Sequence, residues 1–404
     1  MKIFYIAEFD CSLTRIGGEA GHVRGIVRSF NRYGHEVFLF ASGWTPNQGE
    51  TIRFYSVPQI KIPGIYALSF GIFGPPLVLW GILRHRPAVM ISRYFKFVLP
   101  LLVIARFFRV PMFLEVNSDI DSERKISNGG VVRNAFEAWL EQQSYRWSIG
   151  IIAVSSSVVD SINRRFPELA TPIEVISNGV DTEIYSPRVA SECRDVLSIA
   201  PDRQYIVFSG AFQRYQGLPT LLDALLLLKE RLPRICLLLA GDGPDRTIVE
   251  EKIRLGQLEN YCKPFGWSSE SQTSIILGAG DICVAPYNML AAGTTEQHPD
   301  RYGAHLRGSP LKIYTYLASG RPVVASHFKE AGVFIESIGA GVAVPPEDAG
   351  ALADAIESLL LNTDKAQLMG KTGRNAALAN HSWDATARHV LHFIATTQDL
   401  AGRT

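Results

Sequence analysis

The sequence has few cysteines, almost no net charge and one long stretch without acidic residues. Its five cysteines are not closely spaced, which argues against a disulfide scaffold and a structural zinc site. A formal net charge of +1 over 404 residues argues against a strongly basic nucleic-acid-binding protein. Because 47% of the residues are hydrophobic, intrinsic disorder is excluded and at least one large core is expected.

The first ten residues, MKIFYIAEFD, predict a β-strand rather than a signal peptide. No basic segment is followed there by an apolar core and a small-residue cleavage site. We therefore expect the chain to begin inside its fold and the protein to work in the reducing cytosol.

The acid-free stretch runs from Thr51 to Leu114 and carries eight basic residues. Inside it, Ile62–Leu83 has no charged side chain and is long enough to span a bilayer. The adjacent Pro75 and Pro76 would break a helix that has no neighbours to satisfy its backbone. Three interpretations stay open: a buried helix with a broken middle, a basic apolar surface that dips into an anionic leaflet, and a transmembrane span.

Short apolar runs alternate with amphipathic segments, a pattern typical of parallel sheets with helices on both faces. The series begins at Lys2–Ala7 and restarts at Gln204–Ser209, after a polar break near Tyr185–Ser198. We predict an α/β fold of two doubly wound, Rossmann-like domains, residues 1–186 and 187–380. A C-terminal helix in residues 381–404 is expected to pack back toward the first domain. Ligands of such sheets bind beyond the carboxyl ends of the strands, so the cleft between the domains is the expected site.

Glycine-rich turns follow several predicted strands. Gly17 and Gly18 precede a helix whose N-terminus offers free N–H groups to an anion, but they lack the dinucleotide-binding spacing. His22 lies one turn further on, where its position favours a structural role over a catalytic one. In the second half, Gly210 permits close backbone approach, and Arg214 and Gln216 could reach a diphosphate or a sugar.

A second candidate phosphate site is the segment Gly308-Ser309-Pro310-Leu311-Lys312, which precedes a helical stretch. A loop, a lysine and a helix N-terminus can together hold a phosphate.

Together these segments resemble glycosyltransferase family 4, a group of retaining enzymes with the two-domain GT-B fold. The resemblance covers nearly the whole chain. Its main carriers are listed here in chain order: Gly17-Gly18 with His22, Arg32–Val37, Ile152–Ser155, Ser177–Asp181, Leu239–Pro244, Gly280–Tyr287, Ser309–Lys312 and Tyr316–Ala325. The resemblance implies a nucleotide-sugar donor held by the C-terminal domain and an acceptor held by the N-terminal domain.

The resemblance also implies roles for individual residues. Catalytic roles fall to Lys312, Arg214 and Asn117. Donor contacts fall to Gly18, Gly210, Gln216, Gly243, Tyr287, Ser309, Pro310, Leu311 and Thr315. Acceptor contacts fall to Gly17, His22 and Glu115. No cofactor and no metal are expected, and Asp119-Ile120-Asp121 is interpreted as a coincidental match to the metal-binding motif of another glycosyltransferase fold.

The chain departs from the family pattern at several positions. The usual Arg and Lys of the first loop of the second domain are replaced by Ala211 and Gln216, with Arg214 and Lys312 as the nearest substitutes. The usual pair of glutamates is replaced by Arg307 and Thr315. Asn117 stands where many members have His; it cannot be a general base, but it can donate a hydrogen bond to a sugar hydroxyl.

The resulting prediction is a metal-independent, retaining hexosyltransferase that acts on a glycolipid or a growing polysaccharide at the cytoplasmic membrane face. The segment Thr51–Leu114 would contact the anionic membrane surface. No nucleic-acid partner is expected. Front-face transfer is expected, because no carboxylate nucleophile can be identified. The alternatives are a nucleotide-sugar epimerase or sugar phosphorylase of the same fold, and a catalytically silent partner subunit that binds nucleotide-sugar.

Overall fold

This computed structural model describes residues 1–12, 18–60, 62, 65–118, 131–289, 306 and 309–401. The chain divides into two compact units. Unit 1 comprises Met1–Gly179 and Trp383–Thr404, and unit 2 comprises Val180–Ser382.

Unit 1 is built on a parallel sheet whose inner strands are buried, as expected for a sheet covered on both faces. In chain order the strands are β1 (Lys2–Ile6), β2 (Glu36–Ala41), β3 (Arg53–Ser56), β4 (Val89–Arg93), β5 (Met112–Val116), β6 (Gly150–Ala153) and β7 (Ile173–Val175). Their spatial order is β3-β2-β1-β4-β5-β6-β7. The chain reverses direction across the sheet between β1 and β4, which places a topological switch point beside β1.

Two helix layers cover this sheet. One face carries α1 (Gly18–Arg32) and the C-terminal α14 (Trp383–Ala401), with Phe30 and Val390 among their core residues. The other face carries α2 (Tyr66–His85), α3 (Leu99–Phe107), α4 (Val131–Trp147) and α5 (Ser156–Arg165). The C-terminal helix thus packs on α1 of unit 1.

Helix α2 corrects one expectation for the uncharged segment. The helix runs unbroken through Pro75 and Pro76 and is only partly buried: 39% of its most apolar window lies inside the structure. Gly74 eases the restriction that Pro75 places on its preceding residue, because glycine lacks the Cβ that takes part in that clash. By length and composition, α2 is the one helix among the described residues that could cross a membrane.

Unit 2 repeats the architecture around a second parallel sheet. Its strands are β8 (Gln204–Ser209), β9 (Ile235–Ala240), β10 (Cys262–Gly266), β11 (Ile282–Ala285), β12 (Val323–Ser326) and β13 (Gly341–Val344), in the order β10-β9-β8-β11-β12-β13. One face is covered by α7 (Leu218–Arg231), α8 (Arg246–Leu255) and α12 (Ala349–Leu361). The other is covered by α6 (Ala190–Val196), α9 (Glu270–Ala279), α10 (Leu311–Ala318), α11 (Phe334–Ser337) and α13 (Thr363–Asn380).

The division between the units lies after Gly179, earlier than the predicted boundary after residue 186. The intervening residues are hydrogen-bonded within unit 2. Val180 donates its N–H to the carbonyl of His381, and the guanidinium of Arg374 donates to the carbonyls of Thr182 and Tyr185. The segment therefore belongs to unit 2, and the chain returns to unit 1 at Trp383.

Candidate active site

A buried carboxylate lies at the carboxyl end of β5 in unit 1. Glu115 is 3% exposed, and its Oε2 accepts a hydrogen bond of 2.8 Å from the hydroxyl of Tyr5. Its Oε1 lies 2.6 Å from Nε2 of His22, 4.0 Å from a guanidinium nitrogen of Arg93, and accepts a bond of 2.6 Å from Nδ2 of Asn117. The structure thus brings together three of the residues singled out in the sequence.

The charge state of Glu115 follows from these neighbours. Burial alone would raise its pKa, but His22, Arg93 and the Asn117 amide lower the pKa to about 2. The side chain is therefore ionised at neutral pH. Both of its oxygens are engaged, so it serves as a fixed acceptor that orients its neighbours.

Glu115 determines the orientation of Asn117. A carboxylate can only accept hydrogen bonds, so the amide nitrogen of Asn117 must face it. The amide oxygen, Oδ1, is buried and has no hydrogen-bond partner among the residues that the structure describes. Oδ1 is thus available to accept a hydrogen bond from a ligand. The second hydrogen of the amide nitrogen stays available for the predicted donation to a sugar hydroxyl.

His22 lies in the second turn of α1 and is also buried. Its Nδ1 has no hydrogen-bond partner within the described chain, and its ring packs perpendicular to that of Trp383, with 5.1 Å between the centroids. Gly18 is the first residue of α1, and Gly17 lies outside the described residues. The histidine thus has both a structural contact and a free ring nitrogen.

In unit 2, the loop between β8 and α7 is held by close backbone contacts on both sides. Gly210 and Gly217 have φ angles of 146° and 68°. On one side, Phe212 donates its N–H to the carbonyl of Asp242, and a Cβ on Gly243 would come within 2.5 Å of the Phe212 carbonyl oxygen. On the other side, Asn288 donates its N–H to the carbonyl of Tyr215. Glycine is required at these approaches.

Lys312 lies in the first turn of α10, against this loop, β8 and Tyr287. Its ammonium donates to Oε1 of Gln216 and lies 4.0 Å from the centre of the Phe208 ring and 5.3 Å from that of Tyr287. A Cβ at Gly210 would come within 2.9 Å of Nζ. Burial lowers the pKa of Lys312 well below its ordinary value. The lysine is thus a single cation without a carboxylate partner among the described residues.

Ser309 and Pro310 immediately precede α10. The Ser309 hydroxyl is buried and has no hydrogen-bond partner in the part of the chain that the structure describes. Pro310 caps the helix without a side-chain hydrogen bond, and Leu311 is its first residue. Thr315 donates its hydroxyl to the carbonyl of Lys312 at 2.8 Å. A helix N-terminus, a cation and a free hydroxyl therefore adjoin, as in anion-binding sites.

The remaining predicted donor residues lie further from this cluster or serve other contacts. Arg214 is exposed, and no contact between its guanidinium and Lys312 is found. Tyr287 is 5% exposed and packs edge-on against Phe328 as well as facing Lys312. Arg307 and most of the segment after Tyr287 lie outside the described residues, as do Asp119 and Asp121. No described group of three His, Cys, Asp or Glu residues could hold a metal ion.

Sequence reasoning missed Tyr5, Arg93 and Trp383. Arg93 could have been noticed as a charged residue at the end of a buried strand, where charges are rare unless paired. Tyr5 lies in an apolar strand, and Trp383 reaches His22 from the far end of the chain. Neither residue carries a local signal.

Comparison with known proteins assigns the chain to a family. A model of glycosyltransferase family 4 matches residues 16–184, and a model of glycosyl transferases group 1 matches residues 203–362. The chain belongs to glycosyltransferase family 4. The predicted resemblance is thereby confirmed, and the protein is an enzyme of the glycosyltransferase class.

Named relatives of this glycosyltransferase are distant. The glycogen synthase of Mycobacterium tuberculosis is 23% identical over 305 residues, which are 75% of this chain and 67% of the relative. The alpha-maltose-1-phosphate synthase of Mycolicibacterium smegmatis is 26% identical over 265 residues, 63% and 65% of the two chains. A GDP-mannose-dependent phosphatidylinositol monomannoside mannosyltransferase of M. tuberculosis is 23% identical over 227 residues, 56% of each chain. This chain thus spans about two thirds or less of these relatives.

Solved structures confirm the GT-B fold of the glycosyltransferase. Sucrose-phosphate synthase from Thermosynechococcus elongatus has a TM-score of 0.74 at 18% identity, with full coverage of both chains. Anabaena HepE in complex with UDP and glucose has a TM-score of 0.71 at 16% identity, covering 98% of this chain and 99% of HepE. WaaG, involved in lipopolysaccharide biosynthesis, has a TM-score of 0.68 at 12% identity and covers 96% and 98%.

Proposed function

We propose that this glycosyltransferase moves a sugar, with retention of configuration, from a nucleotide-sugar to a glycolipid or a growing polysaccharide. The main support for this proposal comes from the residues around Lys312. This cation is held by Gln216 and two aromatic rings beside the unpartnered Ser309 hydroxyl at the start of α10. Such a cluster can neutralise a diphosphate, and the HepE structures that contain UDP support a nucleoside diphosphate as the ligand.

The leaving group is the centre of the proposed reaction. The bond between the sugar C1 and the β-phosphate oxygen breaks, and a new bond forms from the acceptor oxygen to C1 on the same face. The acceptor proton passes to the leaving phosphate oxygen. Lys312 stabilises the negative charge that develops on the diphosphate, in place of a metal ion.

Glu115 is a poor candidate for the nucleophile of a double displacement. Its two oxygens are already engaged by Tyr5, His22 and Asn117, and it is buried. Retention without a carboxylate nucleophile favours front-face transfer. We assign acceptor binding to Asn117 Oδ1 and His22 Nδ1, both of which are left without partners among the described residues.

The proposal is tested by measuring turnover with a panel of nucleotide-sugars, with and without glycolipid or polysaccharide acceptors. Lys312→Ala is expected to lower kcat by 10²–10³-fold, about the effect of removing one donor to a developing oxyanion. Lys312→Arg should retain part of the activity, and Lys365→Ala, an exposed lysine of α13, should leave it unchanged. Chelation of divalent metals should also leave turnover unchanged.

Three results would overturn the proposal. They are activity of Lys312→Ala within a few-fold of wild type, interconversion of the sugar without any acceptor, and tight nucleoside diphosphate binding without turnover across the panel. The second would indicate an epimerase, and the third a silent binding subunit.

A further inference from the structure

Three adjacent helices of unit 1 expose large apolar side chains. Helix α3 packs against both α2 and α4, on the same face of the sheet. We define the outer helix face as the exposed surface of α2, α3 and α4. Its most prominent side chains are Ile72, Trp80 and Leu83 of α2, Phe107 of α3, and Phe136 and Trp139 of α4. Phe107 is 79% exposed and Leu83 is 61% exposed. An exposed patch of this kind marks an interaction site.

The charges of the outer helix face have one sign. Across residues 65–118 and 135–147, every described carboxylate is buried: Glu115, Glu137 and Glu141. Glu137 pairs with Lys96, and Glu141 forms a two-point contact with Arg165. Of the arginines in these ranges, Arg93 is buried near Glu115, and the other five are exposed: Arg84, Arg86, Arg106, Arg109 and Arg146. A surface of aromatic, aliphatic and arginine side chains complements an anionic and apolar partner.

Two of these arginines adopt a backbone conformation usually reserved for glycine. Arg86 follows α2 with a φ of 51°, and Arg109 follows α3 with a φ of 56°. Helices α2 and α3 lead into the neighbouring parallel strands β4 and β5. Both helices therefore end beside the amino-terminal ends of these strands. The arginines are therefore concentrated at one end of the outer helix face.

A pocket opens at this same end. Its volume is about 180 Å³. The residues that line it include Leu102, Met112, Ile149, Arg106, Arg109 and Trp147. The lining is thus mainly apolar and includes two arginines, and the guanidinium carbon of Arg106 lies 5.6 Å from the centre of the Trp147 ring. This combination suits a group with an apolar chain and an anionic end.

We propose that the outer helix face lies on an anionic lipid bilayer. The apolar side chains would enter the boundary between headgroups and acyl chains, and the arginines would meet lipid phosphates. Arg106 and Arg109 would hold one lipid phosphate, whose acyl chain enters the pocket beside them. The surface is defined within unit 1 and does not rest on the transfer reaction.

Helix α2 lies on the membrane in this arrangement rather than crossing it. Its inner side, which includes Phe70, Val78 and Ile82, is buried on the sheet. Gly81 lies against the rings of Phe4 and Phe40, which a Cβ would meet at 3.0 and 2.9 Å. A crossing helix would have to leave these contacts, whereas an interfacial helix keeps them.

The first experiment measures co-sedimentation of the full chain with vesicles of phosphatidylglycerol or of phosphatidylcholine. Binding is expected to the anionic vesicles and to weaken, without vanishing, as salt is raised. Brominated acyl chains should quench tryptophan fluorescence. Quenching should disappear in Trp80→Phe/Trp139→Phe/Trp147→Phe, although three of the six tryptophans remain. No binding to anionic vesicles, or binding without quenching, would overturn the proposal.

The second experiment uses a variant that should keep its stability. In Arg86→Gly/Arg109→Gly, glycine accepts both left-handed conformations, so the Tm should not fall, while anionic vesicle binding should fall at least tenfold. The control Arg234→Gln/Arg254→Gln removes two exposed cations from unit 2 and should bind as wild type does. Equal loss in both variants would mean that net charge alone matters, and concentration-dependent dimerisation through this face would mean that a second copy covers it. Either outcome would contradict the bilayer surface, without bearing on the Lys312 variants.

Discussion

The ammonium nitrogen of Lys312 lies 4.0 Å from the centre of the Phe208 ring, and its hydrogen-bond acceptor is the neutral amide of Gln216. Cation–π attraction and one amide oxygen compensate the burial of the charge in part, and the pKa of Lys312 remains well below 10.5. The negative charge of a bound diphosphate would stabilise the charged form of Lys312 further. Binding of a diphosphate is therefore expected to raise the pKa of Lys312.

Binding of a nucleoside diphosphate is therefore expected to take up a proton. The ligand favours the charged lysine and raises the pKa of Lys312, so protons are bound at pH values between the lowered and the raised pKa. Affinity for UDP should fall as pH rises through the lowered pKa. Isothermal titration calorimetry at pH 8 or above, in buffers of different ionisation enthalpy, measures this uptake where the phosphate itself is already ionised. Lys312→Arg, which stays charged, should show none; undiminished uptake in that variant would contradict the assignment.

Gln216→Glu should separate stability from ligand binding. A carboxylate beside Lys312 favours the charged lysine, so the Tm should not fall. The same carboxylate repels a diphosphate and cancels the cation, so UDP affinity should drop by at least tenfold, or about 1.4 kcal/mol. Gln213→Glu places the same charge at an exposed position of the same loop and should change affinity by less than threefold. Similar losses in the two variants would indicate a general charge effect.

Much of this architecture could be predicted from the sequence, because buried parallel strands are short apolar runs that alternate with helices. The predicted bounds of Gln204–Ser209 agree with the structure, and the predicted strand Lys2–Ala7 is observed as Lys2–Ile6. Helices such as α3 and α13 were not predicted. The first is almost wholly apolar, and the second carries glycines on a weakly amphipathic pattern, so neither shows the spacing that identifies a helix.

The candidate site was predictable only in part. The positions of Glu115, Asn117 and Lys312 follow from strand ends and loop composition. Two features depend on side chains that meet only after folding. They are the amide orientation of Asn117 and the hydrogen bond from the Lys312 ammonium to Gln216. The prediction of a break in α2 was wrong because it considered only the local effect of Pro75 and Pro76. Packing of the inner side of α2 on the sheet keeps the helix continuous.

The free energy of unfolding should fall at acid pH because of the buried carboxylate of Glu115. Its pKa of about 2 in the fold lies below the ordinary 4.5, so its contribution to stability is present above pH 4.5 and lost as pH falls toward 2. The difference corresponds to about 3 kcal/mol. Glu115→Gln should lose this pH dependence and also be destabilised by about 3–5 kcal/mol at pH 7, because the buried Arg93 loses the charge of the neighbouring carboxylate. Urea unfolding from pH 2 to 7 measures both effects, and parallel pH curves for the two proteins would refute the assignment.

Asn117→Ala tests the acceptor side without disturbing the donor side. Loss of Oδ1 should raise KM for the acceptor about tenfold, since an unpaired acceptor hydroxyl costs on the order of 1–3 kcal/mol. UDP affinity should stay within twofold, because the Lys312 cluster belongs to unit 2. Steady-state kinetics with varied acceptor, beside UDP calorimetry, gives both values. An unchanged acceptor KM would remove Asn117 from the binding site.

Gly217 and Gly266 offer a matched pair, with φ angles of 68° and 65°. A Cβ on Gly266 would meet nothing within 4 Å, whereas a Cβ on Gly217 would come within 1.6 Å of the Pro286 carbonyl oxygen. Gly266→Ala should therefore cost only the left-handed conformation, about 1 kcal/mol. Gly217→Ala should cost about 3 kcal/mol, because the loop or the Pro286 backbone must move.

The variants Gly217→Ala and Gly266→Ala also test whether the loop between β8 and α7 contributes to UDP binding. Displacement at Gly217 shifts the neighbouring Gln216 away from Lys312, so UDP affinity should fall at least fivefold in Gly217→Ala and stay unchanged in Gly266→Ala. Chemical denaturation and UDP thermal shifts measure the two quantities. If both variants bound UDP as wild type does despite the difference in stability, contact between the loop and Lys312 would not matter for the ligand, and the diphosphate site would have to be sought elsewhere in unit 2.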